Sequence, residues 1–495
     1  MSYPNVLFHK LILQSCEEFA EHTALVQDEQ VIKFGDIPKL VSRMISKLLT
    51  LEIASGDVVL VCFPNSPWYP ILFLACAQIG AIMSGISPTS TNDEFSYYLK
   101  NCCAKVVFIS EGSEKKDDWT SEDIIIETLP EKLNEFDWGE LRVHLDDPQS
   151  IDSVILAPFS SGTTGLPKCC LLTHRNFLAS TYALKKALFD DLLQSSTKKT
   201  LAFLPFYHAS GFWALLYCLL EGCTTYIMSD FHPMIMMDII EKYKIDTINI
   251  VPSIANILIK IGNFYGRCPS LRTILCGASH LSKERCKKLL SMFPQITNFL
   301  QGYGMTELVV LSHITPFNDN FEHLGSCGKL LPGFEAKLLY STNSFDSGEL
   351  LLKSDAIMKQ YKHGLKNVDD DGWLHTGDIV KIDKGFYYVV DRKKDLIKVN
   401  GFQVSPTEIE NAILMSERVA DVAVVGIEDE LCGQLPKAYI VLEEGTDELL
   451  FYKHIEHLLR EKLSSIKQLR GGISIVNELP KSASGKVQKH KLVYY

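Results

Sequence analysis

The chain has 495 residues, 46% of them hydrophobic and 22% charged, with a formal net charge of −11. Such a length buries a sizeable core, and the acidic balance excludes a nucleic-acid binder with an extended basic face while leaving room for a local basic pocket. The fourteen cysteines show no Cys-x-x-Cys spacing, and several sit in apolar runs (Cys76, Cys218, Cys276), which reads as free thiols rather than a disulfide framework.

In chain order, the start of the sequence lacks the basic segment and apolar core of a signal peptide. From about residue 50 to 330 short β-branched runs alternate with amphipathic segments. Strands are expected at 58–61, 106–109 and 247–251, and helices at 67–80 and 238–244. That alternation predicts parallel sheet layers covered by helices. The longest apolar stretch, 71–86, is broken by Gln78 and Gly80. It is too short to span a bilayer and is expected to be a buried helix running into a strand. A further strand is expected at 348–353. After Val390 the pattern becomes a compact α+β arrangement. Ser405, Pro406 and Glu408 predict a helix start with an N-cap serine, a first-turn proline and a closed capping box. Strands at 422–425, 438–442 and 473–476 and a helix at 450–463 follow. The division is placed near Asp391, giving domains 1–390 and 391–495.

The most informative segment is Ser160-Ser161-Gly162-Thr163-Thr164-Gly165-Leu166-Pro167-Lys168, followed closely by Thr173-His174-Arg175-Asn176. Its hydroxyls can donate to phosphate oxygens, its glycines let backbone N–H groups close around an anion, and Lys168 adds a positive charge. The spacing is not that of a Walker A loop. Four more motifs follow in order: Gln301-Gly302-Tyr303-Gly304-Met305-Thr306-Glu307, Asp371-Gly372-Trp373-Leu374-His375-Thr376-Gly377-Asp378, Asp391-Arg392-Lys393-Lys394-Asp395-Leu396-Ile397-Lys398, and Pro480-Lys481-Ser482-Ala483-Ser484-Gly485-Lys486.

These five ordered motifs resemble those of the adenylate-forming ligases: acyl-CoA synthetases, 4-coumarate:CoA ligases, luciferases and related adenylation domains. Weaker similarity reaches back to Asn65 and the 80–88 segment. The resemblance implies a large α/β N-terminal domain, with parallel sheet layers, helices and a small β-barrel, and a smaller α+β C-terminal domain. It implies ATP and Mg²⁺ as cofactors, CoA as co-substrate and a small carboxylic acid, fatty or arylpropenoic, as the substrate. The acid would be activated as acyl-AMP and passed to CoA.

The same resemblance assigns residues. Ser160, Ser161, Gly162, Thr163, Thr164, Gly165 and Lys168 would hold the β- and γ-phosphates, with Thr306 on phosphate and Glu307 on the metal. Gly277 and Ala278 would let adenine and acyl group pass close to backbone, with Gln301, Gly302 and Tyr303 along the nucleotide. Asp378 would take the ribose hydroxyls and Arg392 would donate beside it. His208 would stand between the acyl carboxylate and the thiol tunnel, and Phe212, Leu308 and Val309 would border the acyl pocket. Lys394 matches a hinge. Lys486 would bridge carboxylate and α-phosphate during adenylation. Lys398 and Gln403 would face the adenylate during thioester formation, with Asn400 and Gly401 on the pantetheine path.

The chain departs from its look-alikes at Cys169-Cys170, at Ser279-His280, and at Leu308-Val309-Val310, where bulky residues replace small ones in a segment one residue shorter. The alternatives are an adenylate-forming enzyme with another acceptor, oxygen or a carrier, and a catalytically weak nucleotide-binding paralogue. No S-K-L tripeptide ends the sequence, so a cytoplasmic location is expected, with the peroxisome left open by family analogy.

Overall fold

Strands without a single exposed position organise the molecule. In the computed structural model, which describes residues 3–113, 124–138, 149–160, 166–262, 264–340, 346–364, 366–400, 402–481 and 487–492, all five residues of Val58–Cys62 are buried. This strand is flanked in parallel by Ile82–Gly85 and Ala104–Ser110. Burial on both faces is what an unbroken β-branched run dictates. The helix between, Trp68–Ile79, is apolar all round and is buried accordingly. Gly80 ends it at φ +75°, a left-handed cap that costs glycine little. No helix among the described residues is long and apolar enough to cross a membrane.

Two large sheets result. A six-stranded sheet is built on Val58–Cys62. A nine-stranded sheet runs through Asn298–Tyr303, Thr273–Cys276, Thr247–Ile250, Lys199–Ala202, Thr224–Ile227 and Thr23–Gln27, parallel at each of these pairings. Crossover helices such as Ala209–Leu220 and Pro252–Ile261 cover it. A four-stranded antiparallel sheet follows, Glu335–Tyr340, Ser347–Lys353, Leu374–Asp383 and Phe386–Arg392. Tyr387 carries it round onto the preceding segment, accepting from Cys327 N (2.8 Å) and donating to Gly328 O (2.9 Å).

Beyond this sheet the chain closes a core of its own, with Ile397, Ile409, Ile413, Val424, Ile440 and Phe451 at its centre. Strands Val419–Asp429 and Gly433–Leu442 form its long antiparallel pair, and Pro406–Ile413 and Glu448–Lys462 are its helices. The chain is therefore a large N-terminal α/β domain with a smaller α+β domain after it. Ser405 caps Pro406–Ile413 by accepting from Glu408 N (3.2 Å), but the expected capping box is not closed. The Glu408 carboxylate instead pairs with Lys467 at 2.6 Å, a partner 59 residues away. Asp391 reinforces the cap from the last strand of the four-stranded sheet, accepting from Ser405 Oγ (2.6 Å) and Thr407 N (3.0 Å).

Candidate active site

The C-terminal ends of parallel strands leave unpaired backbone and loops, and ligand clefts form there. One continuous cleft of about 2930 Å³ opens at these ends and reaches across to the C-terminal domain. Strand Thr273–Cys276 delivers Gly277 and Ala278 to it, and Asn298–Tyr303 delivers Gln301, Gly302 and Tyr303. Gly277 has only Gly302 O (3.5 Å) within reach of an added Cβ, so the backbones of the two strand ends lie side by side at the wall. Thr306 and Glu307 follow in a single helical turn, Thr306–Leu308, and both line the cleft.

Three polar groups meet where the antiparallel sheet joins the wall. Tyr303 Oη donates to Asp378 Oδ2 at 2.6 Å, and Arg392 Nε lies 3.2 Å from Asp378 Oδ1. Asp378 is 5% exposed. Burial, then the adjacent Asp378 charge, raises the Tyr303 phenol, which stays a donor. Burial alone would lower Arg392, but Asp378 opposes it and the net shift is upward. A carboxylate offers about four lone-pair directions. Asp378 thus retains acceptor capacity for a ligand hydroxyl while held by a phenol and a guanidinium. The Gln301 side chain is occupied elsewhere, donating to Leu281 O (3.2 Å) and accepting from Gly325 N (2.6 Å).

The phosphate-type loop is carried by a two-stranded ribbon, Phe159–Ser160 paired with Lys168–Cys169. Tyr97 Oη donates to Pro167 O (2.8 Å) and pins its exit. Ser160, Leu166 and Pro167 line the cleft. Ser161, Gly162, Thr163, Thr164 and Gly165 lie outside the described residues, as do Gly401 and Lys486. Lys168 does not line the cleft; its ammonium stands 5.2 Å from the centroid of the Tyr361 ring.

His208 precedes helix Ala209–Leu220 and lines the cleft beside Tyr207, ring centroids 4.6 Å apart. Asn65 sets that loop. It donates to Leu204 O (3.0 Å) and accepts from Phe206 N (2.8 Å). The expected pocket role of Phe212 is not what this helix provides. Phe212 is turned into the core against Tyr69 and Phe73. The lining face is Trp213, Ala214, Tyr217 and Cys218, one helical step further on. Trp213 and Tyr217 stack at 5.1 Å, and Phe189 joins Tyr217 at 4.1 Å.

Leu308 and Val309 likewise do not line the cleft; Val310 and Leu311 do. The cause is local. Val309 sits at φ +70°, ψ −60°, and Val310 N donates to Leu308 O at 2.9 Å. This is a γ-turn with a β-branched residue at its centre, a conformation that stores strain of about 1–3 kcal/mol. It buries Leu308 and Val309 and presses Val310 against Gly304, where an added Cβ would overlap the Val310 carbonyl.

The chain beyond Asp391 contributes unequally. Arg392 and Lys394 line the cleft. So do Lys481 and Val487, which pair across an antiparallel bridge on either side of the segment holding Lys486. Lys398, Asn400 and Gln403 are exposed and outside it. They share the hairpin Ile397–Val399/Phe402–Val404, in which Lys398 pairs with Gln403.

Reading the sequence misses Tyr361 and Asn367. Tyr361 Oη donates to Glu307 Oε1 at 2.7 Å and accepts from Asn367 Nδ2 at 3.0 Å. Nothing in their spacing from Glu307 signals the contact.

The AMP-binding enzyme family profile matches residues 12–362, and the AMP-binding enzyme C-terminal domain profile matches residues 408–486. A 4-coumarate–CoA ligase of Vanilla planifolia is 30% identical over 99% of this chain and 93% of its own length. The 4-coumarate–CoA ligase 2 of Petroselinum crispum is 31% identical over 98% and 93%. Among solved structures, o-succinylbenzoate CoA synthetase from Bacillus subtilis, in complex with an acyl-adenylate intermediate, superposes with a TM-score of 0.85 at 24% identity, covering 99% of this chain and 98% of that one. ATP-bound MatB from Rhodopseudomonas palustris gives 0.87 at 22%, covering 99% of each. The chain belongs to the AMP-binding enzyme family, the adenylate-forming ligases.

Proposed function

We propose that this protein is an ATP-dependent acid–thiol ligase that converts a carboxylic acid to acyl-AMP and then to acyl-CoA. The observation that carries the reading is one cleft lined by two buried carboxylates of opposite surroundings, Asp378 held by Arg392 and Tyr303, and Glu307 held by the neutral Tyr361. A carboxylate beside a cation is a fixed acceptor for sugar hydroxyls. One with a neutral donor on a single oxygen keeps its charge for a hard cation. No cluster of three metal-ligating side chains occurs among the described residues. That donor set fits Mg²⁺, which takes one or two carboxylates and fills its shell with phosphate and water. When bound, the metal would neutralise charge developing on the phosphate oxygens.

The residues divide the work. Gly277, Ala278, Gly302 and Tyr303 form the wall against which adenine would lie, and Asp378 with Arg392 orients the ribose. Ser160 and Thr306 line the cleft where the triphosphate would lie, and the 161–165 segment would supply hydroxyls and backbone N–H groups to it. His208 lines the cleft; between the acyl pocket and the thiol path it would donate to the developing charge on the acyl oxygen. We place the domain division at 390/391, with Lys394 as the hinge. Lys486 serves adenylation, and Lys398, Gln403, Asn400 and Gly401 serve thioester formation after the C-terminal domain turns. The aromatic face of Trp213 and Tyr217 supports an aryl or long-chain acyl group, and the 4-coumarate ligases among the relatives support CoA as acceptor.

A screen of carboxylic acids of graded length and aromaticity, following AMP formation with CoA present, tests this reading. AMP and thioester in equal amounts on at least one acid is the expected result. Pyrophosphate release independent of CoA would redirect the reading to another acceptor. Absence of turnover on every acid would leave a nucleotide-binding paralogue.

A further inference from the structure

Tyr361 is 1% exposed and lies behind the cleft, not on its surface. Its backbone is stitched to the end of the phosphate-loop ribbon by a bridge to Cys170, and the neighbouring Gln360 O accepts from Leu171 N (3.2 Å). Its side chain touches both charges at that end of the cleft. The hydroxyl meets Glu307 Oε1 at 2.7 Å, and the ring face lies under the Lys168 ammonium at 5.2 Å. The direction of the first bond is fixed by a third group. Asn367 Nδ2 can only donate, so its 3.0 Å contact takes a lone pair of the hydroxyl and leaves the single O–H for Glu307. Glu307 is itself 3% exposed, and its own carbonyl accepts from Met358 N at 2.7 Å.

A buried carboxylate without a donor is not held in one orientation, and is then a poorer ligand for a cation. A lysine over an aromatic face is held without being neutralised, as it would be by a carboxylate. The geometry points to Tyr361 as a positioning residue that aims the Glu307 carboxylate at the divalent cation of the bound nucleotide and holds Lys168 beside the phosphate loop. This rests on the ligase reading above. Losing such a supporting bond typically costs 10–100-fold in metal affinity.

The test separates the hydroxyl from the ring. ATP binding is measured by calorimetry at stepped Mg²⁺ concentrations, and Mn²⁺ binding to the ATP complex by electron paramagnetic resonance. Tyr361→Phe keeps the ring. Its half-maximal Mg²⁺ concentration should rise about 10-fold or more, with ATP affinity restored at saturating Mg²⁺. Tyr361→Leu removes the ring as well, and its ATP affinity should stay low at every Mg²⁺ level. Asn367→Ala, which does not empty the buried ring site, should shift the Mg²⁺ midpoint in the same direction and so serves even if Tyr361→Phe folds poorly. Midpoints within twofold of wild type in Tyr361→Phe and Asn367→Ala, or an ATP affinity loss independent of Mg²⁺, would overturn the assignment. A wild-type protein that binds no ATP with Mg²⁺ would instead overturn the ligase reading together with this inference.

Discussion

The two sides of the cleft are prepared to different degrees. On the N-terminal side Glu307, Asp378 and Gln301 are 3%, 5% and 7% exposed, and each is held by a named partner. On the C-terminal side Lys398, Asn400 and Gln403 stand exposed on a hairpin and outside the cleft. Lys481 and Val487, which flank the segment of Lys486, reach the same cleft. A buried group with fixed partners is organised before any ligand arrives, whereas an exposed lysine is organised only by what later covers it. In this arrangement the small domain sets the residues flanking Lys486 at the cleft and leaves Lys398 outside it. The difference teaches that the buried, fixed groups of the cleft belong to the large domain, and on the proposed reading the choice of half-reaction would follow from where the small domain sits.

The prepared side should fail most sharply. Glu307→Gln keeps the shape and removes the charge. Acyl-AMP formation, read by pyrophosphate exchange, should fall on the order of 10²–10³-fold, as for loss of one positioned electrostatic group. Acyl transfer from a supplied adenylate should be nearly unchanged. Asp378→Asn removes the partner of Arg392 and one charged acceptor. ATP affinity by titration calorimetry should drop about 10–100-fold, since hydrogen bonds to charged groups contribute about 1.5–3 kcal/mol; an unchanged affinity would mean that the prepared wall does not bind the sugar.

Acid should loosen the same side. His313 is fully buried behind Tyr303 and beside Tyr387, and burial pushes its pKa down to about 3. His174, also fully buried, is lowered to about 3 by burial and then by His9. Both values lie below the unfolded value of about 6.5. Between the two the unfolded chain binds more protons, so stability is lost as pH falls below about 6.5 and continues to fall towards 3. From pH 7 to 5 the loss is about 2 kcal/mol for each histidine. Calorimetric melting at the two pH values should show it, and His313→Gln should remove about half of this histidine contribution. The smallest effect is expected at the joint. Ser405→Ala removes the cap of Pro406–Ile413 and a donor to Asp391. It should cost about 1 kcal/mol and increase proteolytic cleavage near residue 394, with the large domain intact.

The sequence is most legible where chemistry demands fixed residue types at fixed spacing. Glu307, Thr306, Tyr303, Asp378 and Arg392, assigned from motifs far apart in the chain, all line one cleft. Helix phase is less legible. In Ala209–Leu220 nearly every position is apolar, so Phe212 and Trp213 look interchangeable until the core claims the first. The Leu308–Val309 expectation fails because a γ-turn reverses the direction of the chain there, a conformation that a valine does not announce. Glu408 departs from its capping box and pairs instead with a lysine 59 residues away, a partner that local spacing does not announce. Tyr361 and Asn367 are invisible to motif reading since only the folded chain brings them to Glu307.

The most direct measurement of the two-position arrangement is a crossed half-reaction assay on Lys486→Ala and Lys398→Ala. Each variant is assayed for pyrophosphate exchange and, separately, for thioester formation from a supplied acyl-adenylate. Lys486→Ala should lose the first by about 10²–10³-fold or more and largely retain the second, and Lys398→Ala should do the reverse. Equal damage to both half-reactions in both variants would contradict a small domain that serves the cleft from two positions.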